Sequence, residues 1–166
     1  QIDPKYASPW NNLGVVYRDQ KQYEAAVQAY QKAIQLDPKD AYPWNGLGIV
    51  YSLQKEYEKA LSAYQKASDL VPQNGSCRAS IIGALKRLGR DQEAAEQEKI
   101  IRPLMEKNDE YSRACFEAIC GNADEAFRLL KIALEKKQVS LDWVRQDPDF
   151  DSLRDDPRFT ELVEFE

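Results

Sequence analysis

Histidine is absent from the sequence, which excludes histidine-based acid–base catalysis and histidine metal ligation. Cysteine is sparse and odd in number. Cys77, Cys115 and Cys120 share no C-x-x-C spacing, so they read as reduced core thiols of a cytoplasmic protein, not as a disulfide framework or a zinc site. No uninterrupted apolar run reaches the roughly 18 residues a membrane-spanning helix needs. The glycine patterns that cradle phosphates, G-x-x-x-x-G-K-[S/T] and G-x-G-x-x-G, are missing, as are G-x-S-x-G and H-E-x-x-H. The acidic pairs Asp147/Asp149 and Asp155-Asp156 sit around helix starts and read as caps and solvated faces, not as acid–base partners. D-P-D-F-D at 147 to 151 alternates like a calcium loop but lacks the EF-hand glycine and bidentate glutamate. The chain is expected not to be an enzyme, with no catalytic residues, no metal and no cofactor.

Charge narrows the partners. With 28 acidic and 23 basic residues the net charge is -5, which argues against nucleic acid, whose phosphates need a basic surface. At 31% charged and 43% hydrophobic, the composition is that of a folded domain and not of a disordered tail.

What the chain does have is a repeat. Lys5 to Pro38 and Lys39 to Pro72 agree at 21 of 34 positions. Unrelated segments would share on the order of two or three, so the period is real. The shared residues are spaced as two helices per unit. Trp10, Leu13, Val16 and Tyr17 recur at three and four, with Ser8 expected to cap and Pro9 in the first turn. Ala26, Val27, Tyr30, Ala33 and Ile34 form the stripe of the second helix, which Asp37-Pro38 ends. Gly14 and Gly48 in mid-helix cost about 1 kcal/mol each against alanine. Close approach of the paired helix, with Ala26 and Ala60 as the small facing residues, is expected to compensate.

Trp10, Leu13, Gly14, Tyr17, Ala26, Tyr30 and Pro38, repeated as Trp44, Leu47, Gly48, Tyr51, Ala60, Tyr64 and Pro72, resemble the tetratricopeptide repeat, W-x2-L-G-x2-Y then A-x3-F then P. The resemblance implies an all-α fold: a right-handed solenoid of about four helical hairpins plus short C-terminal capping helices. The expected boundaries are 5–38 and 39–72 for the two clear repeats. Degenerate repeats follow at 73–107 and 108–138, and a helical cap at 139–166. Residues 1–4, Q-I-D-P, match Q-L-D-P at 35–38 and read as the tail of a preceding repeat, so the chain is expected to be part of a longer protein.

In the third unit Arg78, Ile81, Ile82 and Leu85 stand where Trp, Leu, Gly and Tyr are expected, Glu98 replaces the aromatic, and Pro103 is expected to kink or restart the second helix. The fourth unit aligns through Gly121 and Ala126 to Gly89 and Ala94. In the last stretch Asp147-Pro148 and Asp156-Pro157 read as helix cap and first helical residue. Trp143, Phe150, Leu153, Phe159, Leu162 and Val163 are expected to face inward, covering the apolar face a last repeat leaves open. A docking motif for another protein is the alternative reading of this tail.

Members of this family bind partners along the first helix of each repeat. The resemblance therefore places a groove at Asn11, Asn12, Val15, Arg18, Tyr42, Asn45, Ile49, Ser52, Lys86 and Arg87, with Ser8, Gly46, Ala79, Ser80 and Gly83 beside them. The carboxylate clamp of chaperone-binding members is not expected, because Asn11, Val15, Gly46, Ser76 and Ser80 supply no cation. Of an asparagine ladder, Asn12 fits while Gly46 and Ser80 break it; the pair Asn11 and Asn45 offers amides suited to a peptide backbone. The implied function is a non-catalytic protein–protein interaction scaffold that binds a peptide or partner segment. Two alternatives stay open: self-association through the N-terminal end, and a regulatory segment of a larger bacterial enzyme or signalling protein.

Overall fold

Eight helices follow one another in pairs: α1 Ala7–Asp19 with α2 Tyr23–Leu36, α3 Ala41–Leu53 with α4 Tyr57–Leu70, α5 Gly75–Arg87 with α6 Asp91–Met105, and α7 Glu110–Cys120 with α8 Ala123–Glu135. A short α9 (Leu141–Val144), a 3-10 helix (Pro148–Leu153) and α10 (Pro157–Glu164) complete the chain. This computed structural model describes residues 7–72 and 74–164, and for Ser76 the backbone alone. The repeat tail expected at Gln1–Pro4 lies outside the described residues. Each pair packs on itself, α2 on α3 and α4 on α5 link successive pairs, and α1 meets α3 as α5 meets α7. The result is a right-handed α-solenoid, all-α as the repeat pattern implies.

The starts of the helices obey local chemistry. Asp40 caps α3 by accepting from the Tyr42 N–H, Asn74 caps α5, and Asp109 caps α7. Ser8 is no cap: α1 begins at Ala7, which puts Ser8 and Pro9 inside its first turn. Gly121 ends α7 in the left-handed region at φ 90°, where its amide reaches back to the Ala118 carbonyl. Pro103 does not break α6, which runs on to Met105 although the proline removes the i→i−4 hydrogen bond to the Lys99 carbonyl.

The mid-helix glycines are explained by tyrosine and not by alanine. A Cβ on Gly14 would lie 2.6 Å from Tyr30 Cε1, and one on Gly46 would lie 2.5 Å from Tyr30 Cζ. The fully buried Tyr30 ring is thus wedged between the first helices of two successive repeats. Gly48 and Tyr64 interlock in the same way. Ala26 and Ala60 are fully buried, but the close contact belongs to the ring. The third repeat reverses the volumes. Ile82 stands at the glycine position and is fully buried, while Glu98 at the ring position turns outward to Arg102 at 2.8 Å.

The stripe of α1 is less buried than its spacing predicts. Trp10 is 38% and Val16 47% exposed, since among the described residues α1 packs mainly on α2 and α3. At the other end the tail buries Val144, Phe150, Leu153, Phe159 and Val163 together with Ala114, Cys115, Leu129 and Leu130 of α7 and α8.

Candidate functional site

The first helices of the repeats form one wall, and the tail lies against it. After α9 the chain turns back, and the 3-10 helix packs on α7 and reaches α3. Side-chain contacts from α1, α5 and α7 fasten the tail. The Arg18 guanidinium of α1 stacks on the Trp143 ring at 3.9 Å. Arg87 of α5 donates to the Pro148 carbonyl and pairs with Asp151 at 3.4 Å. Tyr111 of α7 donates its hydroxyl to the Asp147 carboxylate. Ser152 donates to the Ala118 carbonyl at 3.3 Å. The expected inward residues of the tail therefore divide: most cover α7 and α8, while Trp143 turns toward α1.

Between α3, α5, α7 and this tail a cavity of about 430 Å³ remains. Tyr42, Asn45 and Ile49 line it on one side, Ala79 and Ser80 on a second, and Tyr111, Cys115, Trp143, Asp147 and Asp149 close it. Tyr42 stands at the mouth, 76% exposed. The Asn45 Oδ1 atom is buried and has no hydrogen-bond donor among the described residues.

The other residues placed in the groove from the sequence are distributed differently. Asn11 and Val15 are half-buried on α1, Asn12 is exposed, and none of the three lines the cavity. Val15 leans on the apolar cluster around Tyr30. Ser52 is buried and shares a 3.3 Å hydrogen bond with the Tyr64 hydroxyl, within the interlock. Lys86 donates to the Ile119 carbonyl at 2.7 Å, a contact within the solenoid. Arg18 and Arg87 hold the chain's own tail. Their long stems and planar charge suit an acidic segment, and the segment they meet is 143–151 of the same chain.

The acidic pair is the main departure from the sequence reading. Asp147 does cap the 3-10 helix, its Oδ1 accepting from the Asp149 N–H at 2.9 Å. It is not solvated: it is 5% exposed, and Asp149 is half-buried beside it. Cys115 Sγ and one oxygen of each carboxylate lie within 4.8 Å of one another. The spacing D-P-D showed the cap, whereas the burial comes from Phe150 and Leu153, which pull the acids down with them.

Burial pushes both carboxyls up. Asp149 is carried to about 8, by loss of solvent first and by the Asp147 charge second. At Asp147 the Tyr111 hydroxyl and the fields of Arg18 and Arg154 oppose the rise without cancelling it. A carboxyl whose folded pKa exceeds its unfolded value near 3.9 holds its proton more tightly in the folded state. Stability is therefore gained as pH falls from about 8 toward 4 and lost as it rises through that window. Melting followed by circular dichroism is expected to give a higher midpoint at pH 5.5 than at pH 8.5. Asp149→Asn should flatten most of that slope; an unchanged slope would place the titration elsewhere.

A sequence model of the tetratricopeptide repeat matches residues 41–74, and a second, described as TPR repeat, matches residues 16–55. Residues 16–74 carry tetratricopeptide repeats. Tetratricopeptide repeats generally mediate protein–protein interaction and are typically non-catalytic. Among solved structures the chain is similar to one described as the crystal structure of MamA, with a TM-score of 0.58 and 23% identity. The match covers 82% of this chain and 81% of that one, and it is a likeness of fold. No curated protein sequence matches. Among the described residues no helix is long and apolar enough to cross a membrane.

Proposed function

We propose that this tetratricopeptide-repeat chain is a non-catalytic scaffold that binds a peptide or partner segment on its concave wall, at the cavity bounded by α3, α5, α7 and the tail. One observation carries this reading: a cavity of about 430 Å³ remains open where the tail crosses the first helices, and beside core side chains such as Tyr64 and Ala79 it is lined by Tyr42 and Asn45, which no apolar core cluster includes. Tyr42, Asn45 and Ile49 are the contacts of greatest weight. Asn11, Asn12 and Val15 extend the same wall toward α1 and would touch flanking residues of a bound segment. Arg18, Ser52, Lys86 and Arg87 shape the wall through the chain's own contacts and act on a partner indirectly.

The triple variant Tyr42→Ala/Asn45→Ala/Ile49→Ala tests this. It is expected to weaken partner or peptide binding at least about tenfold, the scale of losing one well-packed hot spot. Its melting midpoint should stay within a few degrees, since Tyr42 is exposed and the other two are half-buried. Retained affinity would remove the cavity from the reading. A second reading, self-association through the N-terminal end, is favoured by the exposure of Trp10 and Val16 on α1. It predicts a mass by light scattering that rises with concentration and falls back with Trp10→Ser.

A further inference from the structure

The cavity asks for hydrogen-bond donors and positive charge. Asp147 and Asp149 stand on its tail side, and the buried acceptor Asn45 Oδ1, with no donor among the described residues, stands on its α3 side. The arginines nearby are committed elsewhere. Arg18 lies on Trp143 and pairs with Asp19 at 2.7 Å. Arg87 serves the Pro148 carbonyl and Asp151. Arg154 donates to the Asp147 main-chain carbonyl at 2.9 Å and pairs with Asp151. Lys39 lies at the lining by the start of α3, next to the capping Asp40. Among the described residues no cationic group forms a salt bridge with the carboxylate of Asp147 or of Asp149. Two sheltered carboxyls without a salt-bridge partner hold protons in the empty site, Asp149 above all; a cation that enters displaces a proton and meets a carboxylate where the pairing is stronger than in water.

The walls suit the same guest. Tyr42, Tyr111 and Trp143 present aromatic rings, whose faces attract a cation, and Ile49, Ala79 and Tyr64 provide an apolar stretch for a hydrocarbon stem. We infer that the partner segment enters this cavity with a lysine side chain, its ammonium received by Asp147, Asp149 and Asn45 and its stem lying between Tyr42, Tyr111 and Trp143. A compact ammonium with three donors suits acceptors that line the cavity on two sides. The planar guanidinium of arginine directs a fork of N–H donors at one carboxylate in its own plane. The inference rests on the reading that the concave cavity takes a partner segment, and it names the side chain that this site selects.

The test uses pools of fluorescent pentapeptides with one fixed central residue and randomised flanks, read by polarisation against the intact chain. Lysine-centred pools are expected to bind at least tenfold tighter than norleucine-centred pools, which keep the stem and lose the charge. Asp149→Asn, a substitution of nearly equal shape, should erase that advantage while leaving the circular dichroism spectrum and melting cooperativity intact. Binding without preference for lysine, or with preference for glutamate or arginine, overturns the inference and leaves the scaffold reading standing. Binding of no pool overturns both. A lysine preference that survives Asp149→Asn overturns the assignment of the acceptors. Free n-butylammonium binding as tightly as the lysine pool would reassign the site to a small amine. Zn²⁺ binding that is lost in Cys115→Ser would reassign its floor to a metal.

Discussion

Phe150→Ala will lower the thermal midpoint by about 6–20 °C. Removing a fully buried aromatic side chain costs about 3–5 kcal/mol, and in a chain of this size each kcal/mol moves the midpoint by about 2–4 °C. Phe150 is fully buried between Tyr111 and Phe159, with ring centroids 6.2 and 6.3 Å away, and shares its cluster with Val144, Leu153 and Val163. The site cannot collapse easily, because α7 holds one side and α10 the other. The loss should also reach the cavity, since Asp147 and Asp149 are carried on the same short helix. The variant is thus expected to lose peptide binding at temperatures where it is still folded. Circular dichroism melting checks the first effect, and a shift below about 3 °C would show that the tail is not held by this ring. Deleting residues 141–166 altogether should expose the apolar face of α7 and α8 and cause aggregation, visible as a light-scattering increase on storage.

Gly48→Leu is expected to cost about 3 kcal/mol, or a midpoint drop of about 6–12 °C. Even the first carbon of that side chain would enter the Tyr64 ring, which is 3% exposed and hydrogen-bonded to the buried Ser52. Neither group can move without parting α3 from α4. A double-mutant cycle identifies the cause. Tyr64→Ala opens a void that the leucine can enter, so the double variant should lose about 1–3 kcal/mol less than the sum of the two single losses. The degenerate third repeat already contains such an exchange, with Ile82 at the glycine position and Glu98 in place of the ring. Additive losses would show that the glycine matters for some reason other than the ring.

How much of this was legible beforehand follows from the reach of the signals. The period of the repeat, the two helices per unit and the apolar stripes are local and recur, so residue spacing alone places α1 to α4 and, more loosely, α5 to α8. Gly14 was readable as a close approach. Its partner was not, because the pattern marks Ala26 and Tyr30 alike and only geometry shows that the ring fills the gap. The tail was readable as a cover through Phe150, Leu153, Phe159 and Val163. Its path back toward α1 had no periodicity to announce it. As a result Arg18 and Arg87, expected to face a partner, meet Trp143, Pro148 and Asp151 of their own chain. Asp147 and Asp149 were missed for the same reason: D-P-D marks a cap, and a cap is usually wet.

The stacking of Arg18 on Trp143 has a consequence for how the molecule comes apart. A solenoid whose units touch only their neighbours frays from its ends, one unit at a time. Here Trp143 of α9 is clasped to α1, so the loop closes over most of the contour and its entropy must be met before the clasp can form. Assembly should accordingly be slower than for an open stack of equal length, and unzipping from either terminus should give way to a single concerted transition.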